Sequence, residues 1–323
     1  MNGTMHRRHA LQLGMGTAVA AALSGWRSAA LAATPEAEAL MTRAIPASGE
    51  RLPVIGLGTN NYSPTTAEER ATRRAVLERL TASGARVIDT APAYRESERT
   101  LGELLAELGN RDRAFIATKV TAQGGTAEEG RAMLEESRRR LRTDVLDLVQ
   151  VHNLVGVEVL LPLLRAQLAG GRIRYVGITT SRASQYQDML RWMRSEPLDF
   201  AQVDYSLGNR AAAAELLPLA QEKKIAVLVN LPFGGRREGN LFSRVKGQPL
   251  PPWAAELDIA SWGQFFLKYV VSHPAVTCAI PGMTQLANLE DNLGAARGRL
   301  PDAAQRRRME DFWDALAGPP GSA

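Results

Sequence analysis

The sequence predicts an α/β protein, a single (β/α)8 barrel of the TIM type over residues 33–323, preceded by an N-terminal signal segment over residues 1–32. Three observations favour this fold class. After residue 52, eight short apolar runs alternate with segments of helical period. The runs are continuously apolar, as strands covered on both faces are. Eight such units in about 290 residues suit one closed barrel. An open, doubly wound sheet is the alternative.

The predicted elements carry start and stop signals. Ser48-Gly49 indicates a turn between two short strands that precede the barrel. Thr66-Ala-Glu-Glu69 and Thr126-Ala-Glu-Glu129 have the pattern of capping boxes at helix starts, and Gly84 follows a predicted helix end. Strands are predicted at residues 52–59, 86–90, 114–118, 145–151, 173–179, 199–204, 225–230 and 275–280. Helices are predicted at residues 66–83, 97–108, 126–141, 157–169, 182–194, 210–222, 255–272, 284–296 and 302–316.

The first 32 residues resemble an export signal. A positively charged start containing Arg7-Arg8 precedes an apolar stretch from Leu11 to Leu23, and Ala30-Leu31-Ala32 has the A-x-A pattern of a cleavage site. The paired arginines are typical of a twin-arginine signal, which carries folded proteins, so we expect the protein in the periplasm or otherwise exported. An ordinary secretory signal is the alternative. The apolar stretch is too short to predict a membrane span.

Charge and cysteine content exclude several classes. The net charge is +5, but three arginines and no acidic residue lie in the first 32 residues, so the remainder carries +2. The basic runs 138–140 and 306–308 lack interleaved aromatic residues, and no nucleic-acid partner is predicted. The one cysteine, Cys278, excludes an intramolecular disulfide. We expect a monomer or a weak homo-oligomer.

Chemically useful side chains follow three successive predicted strands. Asp89 ends one strand and Tyr94 stands five residues later, while Lys119 and His152 end the next two. Because the carboxyl ends of barrel strands converge on one mouth, these four side chains are expected to meet.

Together the four residues suit proton donation to a carbonyl that becomes an alkoxide. The ordinary pKa of a tyrosine is about 10, and the Lys119 ammonium is expected to lower the pKa of Tyr94. Asp89 would keep Lys119 charged, and His152 would hold a carbonyl oxygen by a hydrogen bond. No cluster of Asp, Glu and His has metal-ligand spacing, so no metal site is predicted.

Four motifs resemble the aldo-keto reductase family, and they occur in family order between about residue 42 and residue 297. The resemblance implies a barrel that transfers hydride from NADPH, or in some members NADH, to an aldehyde or ketone. It also implies Tyr94 as proton donor, with Asp89, Lys119 and His152 tuning and orienting it. The motifs are Ile88-Asp-Thr-Ala-Pro-Ala-Tyr-Arg-Glu-Ser-Glu98, Thr118-Lys119, Val151-His-Asn153, and Ile280-Pro-Gly with Leu289-Glu-Asp-Asn-Leu293.

The same resemblance implies where the cofactor binds. Gln202 matches a glutamine that holds the nicotinamide carboxamide, and Asn230 stands where an aromatic ring commonly stacks on the nicotinamide. Gly282 and Asn288 replace the Lys and Arg that grip the 2′-phosphate in many relatives. NADP is therefore expected, with NAD as the alternative. The full implied set is Thr59, Asn60, Thr179, Thr180, Gln202, Asn230, Leu231, Gly234, Gly282, Met283, Asn288, Asp291 and Asn292.

The substrate is expected to be a small carbonyl compound held at the barrel mouth. Tyr62 and Phe233 are candidates for its walls, and the Gly/Arg/Pro-rich loop 234–252 is a candidate lid. Two other functions stay open: a barrel that binds the cofactor as a redox sensor without turnover, and a metal-dependent sugar isomerase or lyase.

Overall fold

The computed structural model describes residues 39–235 and 239–316, and these residues belong to one compact unit. Its strands are β1 (Thr42–Ala44), β2 (Arg51–Pro53), β3 (Leu57–Gly58), β4 (Val87–Asp89), β5 (Phe115–Val120), β6 (Leu146–His152), β7 (Ile173–Thr179), β8 (Phe200–Asp204), β9 (Ala226–Asn230) and β10 (Val276–Ala279). Its helices are α1 (Ala67–Ala82), α2 (Ser97–Leu108), α3 (Ala127–Leu141), α4 (Val157–Ala169), α5 (Tyr186–Ser195), α6 (Leu216–Glu222), α7 (Leu241–Arg244), α8 (Trp262–Val271), α9 (Leu286–Gly294) and α10 (Ala303–Ala315).

Strands β3 to β10 form one parallel sheet of eight strands in sequence order. Parallel bridges between Ile55 and Ala279 and between Gly58 and Gly282 join its first and last strands. A Cβ at Gly58 would lie 2.6 Å from the carbonyl oxygen of Ile280, so this approach requires glycine. The eight-stranded parallel α/β sheet expected from the sequence is confirmed, and these bridges curl it into a barrel rather than an open sheet.

The barrel interior carries a cluster of buried apolar side chains beneath the mouth, separate from the larger core cluster. Phe115, Tyr175 and Phe200 pack with their ring centroids 5.6–6.0 Å apart. Ile45 and Leu52 from the β1–β2 hairpin join this cluster. The predicted Ser48-Gly49 turn lies in this hairpin, which covers the end of the barrel opposite the mouth.

Several predicted boundaries were wrong. The predicted strand 52–59 is two strands, β2 and β3, because residues 51–53 pair with β1 before the barrel begins. The predicted helix 255–272 is a 3₁₀ helix, Pro252–Leu257, followed by α8, whose start Ser261 caps by accepting from the Gln264 N–H at 3.0 Å. The predicted helices 182–194 and 210–222 also begin as 3₁₀ turns, and Pro218 falls in the first turn of α6, where a missing N–H costs least.

The two predicted N-cap residues are confirmed, but the return hydrogen bonds that a capping box requires are not formed. Thr66 and Thr126 accept from the N–H groups of Glu69 and Glu129. The Glu69 carboxylate accepts from Thr65 N–H, and the Glu129 carboxylate accepts from the N–H of residue 124, so neither reaches its own N-cap residue. Both carboxylates therefore satisfy free N–H groups one or two residues earlier than a capping box requires.

The predicted signal segment, residues 1–32, lies outside the described residues, and the predicted domain limits 33–323 stay a prediction. Within residues 39–235 and 239–316, no helix is long and apolar enough to cross a membrane.

Candidate active site

A cavity of about 460 Å³ opens at the carboxyl ends of the barrel strands. This is the end at which enzymes of this architecture carry their active sites. Its walls come from the loops after β3, β4, β6, β7, β9 and β10 and from the ends of the strands themselves. They are Gly58, Thr59, Asn60, Asn61, Asp89, Tyr94, His152, Asn153, Thr179, Ser181, Gln202, Asn230, Leu231, Pro232, Phe233, Gly234, Ile280, Pro281, Gly282 and Thr284.

The four predicted catalytic side chains meet at this cavity. Lys119 is fully buried on β5, and its Nζ donates to Asp89 Oδ2 at 2.7 Å and to the Thr90 carbonyl at 2.8 Å. The same nitrogen lies 4.8 Å from the centroid of the Tyr94 ring. The His152 ring stands edge-on to Tyr94 with the two centroids 6.1 Å apart. A carboxylate, a phenol and an imidazole thus line the mouth, and the fully buried ammonium of Lys119 contacts the first two of them.

The loop that carries Tyr94 is held at both ends. Tyr94 N–H donates to the carbonyl of residue 91 at 3.0 Å, and its own carbonyl accepts from Ser63 Oγ at 3.2 Å. Ser97, the first residue of α2, donates its hydroxyl to the Thr59 carbonyl at 2.5 Å. These bonds tie the loop to the segment after β3, so the phenol has a fixed place beside Lys119.

The expected lowering of the Tyr94 pKa by Lys119 is confirmed, but other contributions to this pKa outweigh it. Burial raises the pKa of Tyr94, Lys119 lowers it, and Asp89 raises it again, with a net pKa above the ordinary value. A phenolate in a poorly hydrated site loses more hydration than one nearby ammonium replaces. Tyr94 is therefore a protonated phenol at neutral pH.

The pKa values of Lys119 and His152 shift in opposite directions. Burial lowers the pKa of Lys119, but Asp89 and Tyr94 raise it, and the net pKa lies above the ordinary value. Burial, with the positive charges of Lys119 and Arg182, lowers the pKa of His152 to about 4. At neutral pH the lysine is charged and the histidine is a neutral imidazole, which can donate one N–H and accept at its other nitrogen.

Eight of the predicted cofactor residues line the cavity. They are Thr59, Asn60, Thr179, Gln202, Asn230, Leu231, Gly234 and Gly282. Gln202 already has three partners: its Nε2 donates to Asp89 Oδ1 at 2.7 Å, and its Oε1 accepts from Thr179 Oγ1 at 3.0 Å and from Asn230 Nδ2 at 3.4 Å. Only one N–H of this amide remains for a ligand.

The other five predicted cofactor residues lie away from the cavity wall. The Thr180 hydroxyl donates to Gln185 at 2.6 Å, and Met283 is fully buried in the core, so neither side chain is free for a ligand. The Asp291 carboxylate accepts from Ser261 and Gln264 at the start of α8. Asn288 is exposed on α9, and Asn292 is buried there.

Of the two predicted substrate residues, one lines the cavity and the other does not. Phe233 lines the cavity and packs on Phe242, with ring centroids 5.0 Å apart. Tyr62 is fully buried, and its hydroxyl donates to the Arg73 carbonyl at 3.0 Å. The expectation for Tyr62 was wrong because α1 covers this ring, so Tyr62 is a packing residue.

Sequence reasoning missed several uncharged polar groups in the wall. Asn61, Asn153, Ser181 and Thr284 all line the cavity. Each follows within a few residues of a barrel strand, and that position is the signal that could have identified them. Among the described residues, no group of three or more His, Cys, Asp or Glu side chains could hold a metal ion.

The fold and the site together suit an oxidoreductase built on an α/β barrel. The model of the aldo/keto reductase family matches residues 54–310. The chain therefore belongs to the aldo/keto reductase family.

Individual relatives agree with this assignment. The chain is 29% identical over 259 residues to methylglyoxal reductase YeaE of Escherichia coli (strain K12), covering 78% of this chain and 88% of that one. It is 34% identical over 194 residues to aldo-keto reductase YhdN of Bacillus subtilis (strain 168), covering 54% of this chain and 56% of that one.

Solved structures share the fold. An aldo/keto reductase from Klebsiella pneumoniae, in complex with NADP and acetate, superposes with a TM-score of 0.70 at 24% identity, covering 82% of this chain and 93% of that one. The holo form of an aldo-keto reductase from Bacillus halodurans gives a TM-score of 0.68 at 21% identity, covering 87% of this chain and 99% of that one.

Proposed function

We propose that this protein reduces an aldehyde or ketone to an alcohol with NADPH, with NADH as the alternative donor, and that Tyr94 supplies the proton. One observation carries the proposal. The Lys119 ammonium, bonded to Asp89 at 2.7 Å, lies 4.8 Å from the Tyr94 ring at the wall of the cavity. This arrangement suits a group that must give up a proton while an oxygen gains charge.

The cavity fits a nicotinamide cofactor. The Oδ1 atom of Asn230 is buried without a hydrogen-bond partner in the described part of the chain, an acceptor suited to a carboxamide N–H. Next to Gly282 the wall is open, since a Cβ there would meet nothing nearer than the Gly58 carbonyl at 3.9 Å. Thr284 lies just before the N-terminus of α9, where a phosphate is favoured. When bound, the reduced nicotinamide supplies hydride to the carbonyl carbon.

The residues of the chain do the remaining work. Tyr94 and the neutral His152 both present hydrogen-bond donors to the mouth, and together they can hold the substrate oxygen in place. As that oxygen becomes an alkoxide, Tyr94 transfers its proton to it. Lys119 then stabilises the phenolate that is left, and Asp89 keeps Lys119 charged in this buried position.

The test is reduction of a panel of aldehydes and ketones, followed as loss of the reduced-nicotinamide absorbance. Tyr94→Phe should lower kcat/KM by at least about 100-fold, the usual weight of a positioned proton donor, while the cofactor Kd stays near the wild-type value. Tyr62→Phe is the matched control, because it removes the same hydroxyl from a buried ring outside the cavity, and it should keep the activity. A wild-type protein that binds neither NADP(H) nor NAD(H) would overturn the proposal. Tight binding without turnover of any carbonyl would point to a redox sensor.

We further propose that residues 1–32 direct export by the twin-arginine route. The support is the order of Arg7-Arg8, the apolar stretch and Ala30-Leu31-Ala32. Replacing both arginines with lysine should keep the protein in the cytoplasm of a host that has this pathway. The proposal fails if cell fractionation shows unchanged export of the Lys–Lys variant, which would favour an ordinary secretory signal.

A further inference from the structure

A chain of hydrogen bonds between side-chain amides crosses the barrel mouth from β9 to β4. Asn230 Nδ2 donates to the Thr180 carbonyl at 3.2 Å and to Gln202 Oε1 at 3.4 Å. Gln202 Nε2 then donates to Asp89 Oδ1 at 2.7 Å. The other carboxylate oxygen of Asp89 accepts from Lys119. The cofactor wall and the proton-donating residues are therefore joined by direct contacts.

The donor-to-acceptor direction of this series of hydrogen bonds is fixed at its Thr180 end. The Thr180 carbonyl can only accept, so the NH2 group of Asn230 must face it. The same NH2 group lies next to the Gln202 amide, so Gln202 must present its oxygen there. Its NH2 group is then turned toward Asp89. The Thr179 hydroxyl also donates to Gln202 Oε1, but a hydroxyl can reverse its role and so does not set the direction.

We propose that Asn230 and Gln202 are positioning residues of the proton-donating set, with Asn230 orienting the Gln202 amide and Gln202 holding the Asp89 carboxylate in place against Lys119. The inference rests on the proposed reductase function. It gives Gln202 a second task besides contact with the cofactor. It gives Asn230 a task that no aromatic ring at this position could perform, because a ring has no N–H at this point to share between Thr180 and Gln202.

The physical basis is the burial of Asp89. Asp89 and Gln202 are at most 2% exposed, so a lost hydrogen bond costs more here than at the protein surface. The titratable groups facing Asp89 in the described chain are Lys119, Tyr94 and Cys278. Of these, only Lys119 is a cation, so the amide of Gln202 is the second group that stabilises the carboxylate.

The first test is the pH profile of kcat/KM. A carboxylate that loses a hydrogen-bond donor takes up a proton at higher pH. Gln202→Leu, which nearly preserves volume, should move the acid limb of the profile upward, because a buried carboxylate has then lost a hydrogen-bond donor. Asn230→Leu should move it in the same direction by less, because Thr179 still contacts Gln202. A merely structural loss would lower kcat/KM equally at every pH.

Asn61→Leu is the matched control. It makes the same chemical change in a carboxamide of the same cavity wall that has no bond to Gln202 or Asp89. Whatever it does to the rate, its acid limb should coincide with that of the wild type. An acid limb that stays in place in Gln202→Leu, or that moves as far in Asn61→Leu, would overturn the inference.

The second readout needs no turnover. In the full chain without substrate, the side-chain N–H of Gln202 that bonds Asp89 should show slow hydrogen exchange by NMR, and Asn230→Leu should remove that protection. If the wild type reduces no carbonyl but this protection depends on Asn230, the proposed function fails while the positioning contact stands. If carbonyl reduction proceeds and the exchange is fast in the wild type, the positioning role is wrong and the reductase function stands.

Discussion

The depressed pKa of His152 predicts that acid destabilises the fold through this side chain. Burial and two nearby positive charges lower the pKa of His152 to about 4 from an unfolded value of about 6.5. The unfolded chain then binds a proton before the folded chain does, so stability is present above pH 6.5 and is lost as the pH falls toward 4. At pH 5 the loss from this one group is about 2 kcal/mol.

The assay is urea unfolding of the wild type and of His152→Gln at pH 7 and pH 5. Because the substitution also changes packing at pH 7, the informative quantity is the change in unfolding free energy between the two pH values. That change should be smaller in His152→Gln by about 2 kcal/mol. Equal changes in both proteins would refute the reasoning, because they would mean that His152 titrates alike in the folded and unfolded chain.

His273 is the matched control. Burial and the charges of Arg306 and Arg43 lower its pKa to about 4 as well, but it lies at the amino end of β10, opposite the mouth. His273→Gln should therefore also flatten the pH dependence of stability, by less, since this ring is more exposed and better screened. Only His152→Gln should lower carbonyl reduction. Loss of activity in both variants to the same degree would show that the effect of His152 is one of folding.

Three further predictions concern the buried pair, a helix contact and the direction of reaction. Lys119→Met should cost about 3–5 kcal/mol in urea unfolding by leaving the Asp89 carboxylate unpaired, and adding Asp89→Asn should restore part of it. Gly102→Ala should lower the melting temperature, since its Cβ would lie 2.0 Å from a carbonyl oxygen of α3, while Gly170→Ala, with 3.4 Å to the nearest atom, should change it little. Because the Tyr94 pKa is raised above about 10, reduction should keep its rate to at least pH 9 while oxidation, which needs the phenolate, should still be rising there.

The sequence predicted the site best at positions where a polar side chain directly follows an apolar strand. Asp89, Lys119 and His152 each end a continuous apolar strand, and the geometry of a closed barrel then brings them to one mouth. Helices α2 and α4 begin and end where the pattern predicted, because Gly109 and Gly170 stop them and an apolar period fills them.

Predictions failed where the structure is determined by contacts between segments that are far apart in the sequence. As a tyrosine shortly after a predicted strand, Tyr62 was expected at the barrel mouth. Helix α1 instead packs over its ring, and no local sequence pattern predicts that contact. The strand 52–59 divides because its first half pairs with residues 42–44, an antiparallel partner outside the barrel. The bonds of Gln202 to Asp89 and Asn230 join residues 113 and 28 positions away in the chain, and spacing alone cannot reveal them.

The raised pKa of Tyr94 changes how the site would act in the proposed reaction. The sequence predicted a phenol whose pKa is lowered by a neighbouring ammonium and which donates its proton to a carbonyl that becomes an alkoxide. The structure instead gives a phenol that burial keeps protonated, with the ammonium opposing burial only in part. Such a group is still an effective donor to an alkoxide, which is a much stronger base than a phenolate. In the proposed reaction, Lys119 matters most after the proton has left, when the negative charge stands on Tyr94. Asp89 matters because it keeps that buried ammonium charged. In the proposed reaction, such a proton donor acts only when hydride arrives, since no other group among the described residues of the cavity wall is basic enough to take its proton.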